Sequence, residues 1–87
     1  MTPAEIAKGA RSLLEKDRRR LHSLTRTEHG RFELYDKQLA AVQTREELVR
    51  VADTISFEAS GVDHATAGYL EALGQTVRYI ETRLGES

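Results

Sequence analysis

The sequence of 87 residues has no cysteine, no tryptophan and a single proline. Without cysteine the chain forms no disulfide, no zinc–thiolate site and no catalytic thiol, which fits a reducing compartment. The longest strictly apolar run is the short stretch LAAV, far below the length of a membrane span. The N-terminal segment also lacks the apolar core of a signal peptide. We therefore expect a cytoplasmic protein that does not associate with membranes.

Chain length and charge distribution give the next constraints. Residues 1–87 are expected to form a single helical domain, whose modest core makes a partner or self-association a fair expectation. Residues 1–31 carry eight Lys and Arg against four Asp and Glu, whereas residues 32–87 carry five against ten. This asymmetry indicates either a charged partner or pairing within the chain. We favour the second interpretation, in which a basic first helix lies beside acidic neighbours.

A first helix is predicted over residues 2–27. Thr2, Pro3 and Glu5 have the spacing of an N-cap, a first-turn proline and the acidic partner of a capping box. Apolar residues then recur with a helical period. Gly30 is expected to end this helix or to form the turn that follows it.

A second helix is predicted over residues 31–42. Phe32, Tyr35, Leu39 and Val42 follow one another at spacings of three and four, which places them on one helical face. The alternation in RFELY leaves a β-hairpin as the alternative for this segment. The helix-forming stretch QLAA favours the helix.

The apolar face changes register at Gln43–Thr44. Here TREE supplies a second capping box and begins a helix predicted over residues 44–59. If the earlier register continued, Glu46 and Asp53 would fall on the apolar face. We therefore expect a joint between two helices, with one continuous bent helix as the alternative.

The last helix is predicted over residues 63–84, with Asp63 as its N-cap. Its apolar residues alternate by four and three, a heptad pattern typical of helical bundles and coiled coils. They are Thr66, Leu70, Leu73, Val77, Ile80 and Leu84. Because glycine weakens a helix, Gly68 and Gly74 are expected at close approaches of other segments or at local distortions. The four segments together predict an all-α fold, a small antiparallel helical bundle of three to four helices.

No constellation of residues indicates catalysis, a metal site or a cofactor. His22 and His29 are seven positions apart, too far along a helix to share an ion, and His64 lies in a predicted first turn. There is no nucleophile motif and no glycine-rich phosphate loop. We expect a protein that is not an enzyme and that uses no cofactor.

Binding surfaces are predicted instead. Arg18, Arg19, Arg20 and Arg26 are candidates for contact with an acidic partner or with phosphates. Acids interleave with these bases and no aromatic residue lies among them, which favours a protein partner and indirect contact with nucleic acid. The aromatic residues are expected in the core, except that Tyr79 is a candidate for the rim of an interface.

Residues 35–72 contain a recognisable order of residue types. A Tyr is followed by Leu, Gln-Thr, Leu, Arg-Val, an aromatic-Glu pair and Ser. The residues are Tyr35, Leu39, Gln43, Thr44, Leu48, Arg50, Val51, Phe57, Glu58 and Ser60, and, after a two-residue insertion, Asp63, Ala67, Tyr69 and Ala72. This order resembles the Hha family of small bacterial nucleoid-associated modulators. The resemblance implies an all-helical module that binds a partner which in turn binds DNA. The acidic family position on the last helix that is implicated in binding the histone-like silencer falls here on Gly74, and an acidic position on the preceding helix falls on Val49, so that contact is not carried over.

These observations favour a non-enzymatic protein-interaction module that modulates transcription or nucleoid silencing through a DNA-binding partner. One alternative is a phage- or plasmid-encoded helical inhibitor that binds and blocks a larger host complex, either a defence or a regulatory complex. Another is a self-assembling structural helix bundle, with a homodimer as its simplest form. Direct contact between the basic first helix and nucleic acid is a further alternative.

Overall fold

One buried face defines each helix of the fold. The computed structural model describes residues 1–61, 65–66 and 68–86. The helices are α1 (Pro3–Arg20), α2 (Arg26–Ala40), α3 (Arg45–Gly61) and α4 (Tyr69–Glu86). Those described residues include no β-strand, which confirms the all-α prediction, and the helical α2 excludes the hairpin alternative.

Helix α1 begins as the sequence predicts but ends earlier. The Thr2 hydroxyl oxygen accepts a hydrogen bond from the Glu5 N–H at 3.2 Å, and the Glu5 carboxylate accepts one from the Thr2 N–H at 2.9 Å. The helix ends at Arg20, so the predicted extension to residue 27 is wrong. Leu21 takes an extended conformation and donates its N–H to the Asp17 carbonyl oxygen at 2.9 Å, which closes the last turn.

A capping box at the start of α2 explains this early break. The Thr25 hydroxyl oxygen accepts a hydrogen bond from the Glu28 N–H at 3.1 Å, and the Glu28 carboxylate accepts one from the Thr25 N–H at 2.9 Å. The sequence TRTE has the spacing of such a box, so the signal was present and was missed. Helix α2 therefore starts at Arg26, before its predicted start at residue 31, and includes Gly30 as an interior residue.

The predicted joint between the second and third helices is confirmed. Ala41 caps α2, and the Thr44 hydroxyl oxygen accepts a hydrogen bond from the Glu47 N–H at 3.1 Å. The Glu47 carboxylate in turn accepts a hydrogen bond from the Thr44 N–H at 2.9 Å. The capping box of TREE therefore begins α3 as a separate helix, one residue after its predicted start.

Helix α4 begins at Tyr69, later than predicted. Residues 65–66 are not helical, so the predicted start at residue 63 is wrong, and the predicted cap Asp63 lies outside the described residues. Gly68 has a φ of 92° and lies against Leu21, whose Cδ2 would be 2.7 Å from an added Cβ. Both features require glycine here, which confirms the predicted close approach at this position.

The helices pack as an antiparallel bundle. Helix α1 packs against α2 and α4, and α3 packs mainly against α4. Contacts at two levels show that α1 and α4 run in opposite directions, since Gly9 lies against Tyr79 and Leu21 against Gly68. Helices α1 and α3 touch little and lie diagonally across the bundle.

The core consists of apolar side chains from all four helices. The rings of Phe32 and Tyr69 meet edge to face, with centroids 5.5 Å apart. The largest fully buried side chains are Tyr35, Tyr69, Phe32, Ile6, Leu14, Leu39, Leu48, Ile55, Leu73, Ile80 and Thr76. None of the helices that the structure describes has the length and apolar character to cross a membrane.

The buried face of α4 differs from the predicted heptad pattern. Leu73, Val77 and Ile80 are buried as expected, whereas Leu70 and Leu84 are only half-buried. Tyr69, Ala72 and Thr76 complete the buried face. The face is wider than a heptad stripe because α4 packs against both α1 and α3.

We predict that Leu73→Ala lowers the free energy of unfolding by about 2–4 kcal/mol. The Leu73 side chain is fully buried, so truncation leaves a cavity between α4 and its neighbours. Leu34→Ala is the matched control, since Leu34 is 42% exposed and should change stability by less than about 0.5 kcal/mol. Urea unfolding followed by circular dichroism measures both, and equal effects would contradict the assignment of the core.

We predict opposite effects for two Gly→Ala substitutions within helices. An added Cβ at Gly9 would lie 2.1 Å from the Tyr79 hydroxyl oxygen, so Gly9→Ala should destabilise the fold by about 1–3 kcal/mol through overpacking. An added Cβ at Gly74 has no heavy atom outside its own helix turn within 4 Å, so the predicted close approach there is wrong. Gly74→Ala should stabilise α4 by up to about 1 kcal/mol. Thermal unfolding distinguishes the two signs.

Candidate functional site

The arginines at the end of α1 project in different directions, and each is paired within the chain. Consecutive residues of a helix point about 100° apart, so these three residues cover more than half of its circumference. The pairs are Arg18 with Glu33 at 2.8 Å, Arg19 with Glu15 at 3.0 Å and Arg20 with Asp17 at 3.2 Å. All three bases are paired within the chain, as expected, but only the Arg18–Glu33 pair joins α1 to α2, because Glu15 and Asp17 belong to α1 itself.

Arg26 is separated from these three residues by the bend between α1 and α2. It occupies the first turn of α2, is exposed and makes no ion pair with any residue that the structure describes. The four candidate arginines therefore do not share one face. Their contact with an acidic partner or with phosphates stays a prediction.

A more continuous positive surface lies on the outer side of α1. Lys8, Ser12 and Lys16 are exposed and occupy successive turns at spacings of four, and we call them the lysine row. An open groove of about 680 Å³ runs along this side of the helix. The groove is also lined by two ion pairs, Arg19 with Glu15 and Arg11 with Asp36. Sequence inspection for blocks of adjacent bases missed the row because its members are four apart.

Two exposed apolar side chains, with an aspartate between them, lie on the outer side of α3. Val49, Asp53 and Phe57 occupy successive turns, and we call them the α3 ridge. The Phe57 side chain is 81% exposed and Val49 is 39% exposed, so the expectation that Phe57 belongs to the core is wrong. The sequence held the signal, because the apolar stripe through Leu48 and Ile55 places Phe57 on the opposite side of the helix.

Glu58, the neighbour of Phe57, points the other way into a polar cluster. The Tyr69 hydroxyl donates a hydrogen bond to the Glu58 carboxylate at 3.1 Å, and the Arg31 Nε lies 3.8 Å from the same oxygen. Burial and the negative charge of Glu58 raise the pKa of Tyr69, so its phenol stays protonated and continues to donate. This cluster connects α2, α3 and the start of α4, which gives it a structural role.

Tyr79, the candidate for an interface rim, belongs to the contact between α1 and α4. Its side chain is half-buried and packs directly against Gly9. The guanidinium of Arg83 lies 5.2 Å from the centroid of the ring, which is a cation–π contact. A role of Tyr79 at an interface stays a prediction.

Glu28 is the most heavily bonded carboxylate of the described structure. Besides the Thr25 N–H, it accepts hydrogen bonds from the Thr66 N–H at 2.9 Å and from the Thr66 hydroxyl. The residue is only 7% exposed. Burial acts to raise the pKa of Glu28, but the hydrogen bonds from Thr25 and Thr66 outweigh burial and leave the pKa below its usual value. A charged carboxylate therefore joins the start of α2 to the chain just before α4.

The histidines and acids form no recognisable metal centre in the described part of the chain. His22 is exposed and His29 is half-buried, whereas His64 lies outside the described residues. Among residues 1–61, 65–66 and 68–86, no group of three His, Cys, Asp or Glu side chains is arranged to hold a metal ion.

We predict that Glu28→Gln destabilises the fold at pH 7 by about 1–2 kcal/mol, because hydrogen bonds to a charged carboxylate are replaced by weaker ones. Since the folded-state pKa of Glu28 is lowered, its contribution is fully present above the unfolded pKa of about 4.3 and is lost as pH falls through the folded pKa. The difference in stability between wild type and variant should therefore shrink below about pH 5.

Chemical unfolding at a series of pH values measures this effect, with Glu81→Gln as the matched control. Glu81 is exposed, and its side chain makes no hydrogen bond or ion pair to any described residue. A stability difference for Glu28→Gln that is the same at pH 3 and pH 7 would show that the charge of the carboxylate is not its source.

Comparisons with known proteins leave the chain without an assigned family. No family model matches it, and neither the curated proteins nor the solved structures include a significant match. The resemblance of residues 35–72 to the Hha family therefore stays a prediction.

Proposed function

We propose that the chain is a non-enzymatic protein-interaction module that modulates transcription or nucleoid silencing through a DNA-binding partner protein. The observation that carries this proposal is the exposed ring of Phe57 at the end of the α3 ridge. The resemblance to the Hha family supplies only the class of partner, because Val49 and Gly74 replace acidic residues of that family and the contact must therefore use other residues here.

Phe57 lies on the side of α3 that is not used to hold the fold together, so it is available to bind a partner. Helix α3 is held in the bundle by Leu48, Ala52 and Ile55, which are buried on its opposite side. Phe57, which is 81% exposed, contributes little buried area to the fold. Transfer of its ring into a pocket on a partner would gain about 1.5–3 kcal/mol, and aromatic side chains are frequent anchors of protein interfaces.

The surroundings of Phe57 suit the approach of a partner. Ser56 and Ser60 are exposed beside it, and both are small. Val49 adds a second apolar contact about 12 Å away along the helix axis. Apolar anchors spaced along one face of a helix are the arrangement used when a helix inserts into a groove of another protein, and here the two anchors lie two turns apart with Asp53 between them. The ridge is thus a preformed helical element for a grooved partner.

We predict that Phe57→Ala lowers affinity for a purified histone-like silencer protein by about tenfold or more, since an aromatic anchor is worth about 2 kcal/mol. The substitution should change the free energy of unfolding by less than about 0.5 kcal/mol, because the ring is exposed in the monomer. Titration of isotope-labelled chain by NMR measures affinity and locates the contact, with Leu34→Ala as the control.

The outcomes of this titration discriminate between the proposed functions. If wild type does not bind the silencer, or binds it equally well after Phe57→Ala, the proposal is wrong. Binding to a larger host complex instead would favour the inhibitor alternative. Sedimentation that depends on concentration and on Phe57 would favour the self-assembling bundle.

A further inference from the structure

The lysine row carries positive charge that the described part of the chain does not neutralise. Lys8 and Lys16 are exposed and make no ion pair with any described residue. In contrast, Arg11, Arg18 and Arg19 each contact a carboxylate at 2.8–3.0 Å. A ligand that approaches the outer side of α1 therefore meets two uncompensated ammonium groups between neutral ion pairs.

The spacing of the two lysines defines the charge pattern of a matching ligand. Eight residues of helix separate them by about 12 Å along the axis. Carboxylates seven or eight residues apart on another helix are separated by about 10.5 or 12 Å, and the flexible lysine stems absorb the difference. Ser12 lies midway in the row and is small and exposed, so a second helix has room to lie along it.

The groove favours an acidic protein segment over nucleic acid. A phosphate backbone carries a charge at every nucleotide, and it would meet the carboxylates of Glu15 and Asp36 as well as the lysines. A helix can place acids only opposite Lys8 and Lys16 and present neutral side chains elsewhere. The aliphatic stems of Lys and Arg along the groove offer apolar contact to such side chains.

We propose that the lysine row binds an acidic helical segment of a partner protein through carboxylates two turns apart. The proposal rests on the proposed function in that the ligand is a protein, but it uses a surface on α1 and is independent of the α3 ridge. Arg11 and Arg19 form the edges of the groove and stay paired with their own carboxylates.

The probe is an alanine-rich helical peptide with two Glu residues seven positions apart. A control peptide of the same composition carries its two Glu residues two positions apart, on opposite sides of the helix. A 20-base-pair DNA duplex serves as the second control. Each is titrated into isotope-labelled full chain at low salt, where attraction between exposed charges is least screened.

We expect the spaced peptide to shift the amide resonances of Lys8, Ser12 and Lys16. The double variant Lys8→Glu/Lys16→Glu should bind it at least about tenfold more weakly, since two attractions become repulsions. Lys37→Glu/Arg78→Glu is the matched control, because it makes the same change in net charge at exposed residues outside the groove. That control should retain affinity within about twofold.

Several outcomes would overturn the proposal. They are equal binding of both peptides, equal losses in both double variants, and binding of the DNA duplex in place of the peptide. The amide resonances of the chain without peptide can also be compared at several protein concentrations. If resonances at both the lysine row and the α3 ridge shift with concentration, the occupant of the lysine row is a second copy of the chain. If Lys8→Glu/Lys16→Glu does not fold, Lys8→Gln/Lys16→Gln provides the same comparison with a smaller expected loss.

The two functional proposals fail separately. Phe57→Ala should bind the acidic peptide as wild type does, because Phe57 lies on α3 and the lysine row on α1. Loss of peptide binding in Phe57→Ala would contradict the independence of the two surfaces. If the chain binds the peptide but binds no silencer protein, this inference stands and the proposed function is wrong.

Discussion

The carboxylate of Glu28 fixes the corner of the bundle on which the remaining arrangement depends. It accepts hydrogen bonds from the Thr25 N–H and from the backbone and side chain of Thr66, so one acid holds the start of α2 and the chain before α4 together. Burial of a carboxylate is costly unless donors satisfy it, and here they are supplied by two segments distant in sequence. The contact between Leu21 and Gly68 at the same corner holds the end of α1 against the start of α4.

This corner determines which helix faces remain open to solvent. Once the ends of α1, α2 and α4 meet there, each helix turns one apolar face to the shared core. The outer sides of α1 and α3 are left free, and their chemistry differs. The lysine row on α1 is cationic, whereas the α3 ridge carries two apolar side chains with the acidic Asp53 between them. Two surfaces of different character therefore result from one packing arrangement.

Local signals in the sequence are sufficient to predict most helix boundaries. The contacts between distant segments cannot be predicted from these signals. The capping boxes at Thr2 and Thr44 act within one turn, so their spacing alone predicted the start of α1 and the joint before α3. Glu28 has the same local signal, but its bonds to Thr66 join residues 38 positions apart, which no helical period encodes. Thr66 and Gly68, whose φ is 92°, both precede α4, which begins at Tyr69.

The candidate surfaces were predictable to a similarly limited extent. The stripe that buries Leu48 and Ile55 already requires Phe57 to face away from the core, so its exposure follows from helical geometry. The adjacent arginines of α1 were predicted as a binding surface because they follow one another in the sequence. Adjacency in a helix disperses side chains around the axis, and each of Arg18, Arg19 and Arg20 found a carboxylate of its own. The two lysines that do share one side of α1 and form no ion pair with any described residue, Lys8 and Lys16, are eight residues apart in the sequence.

The positions of the two surfaces also bear on the identity of the acidic ligand. Helices α1 and α3 lie diagonally, so the lysine row and the α3 ridge face apart. A head-to-tail contact between copies would therefore form an open filament or a larger ring rather than a closed dimer. Glu46 and Asp53 on α3 do have the required spacing of seven. However, the Glu46 carboxylate is bound by Arg50 at 3.1 Å, and docking would bring that arginine against the lysines. The repulsion disfavours a second copy, and an acidic helix without an interleaved base is the better ligand.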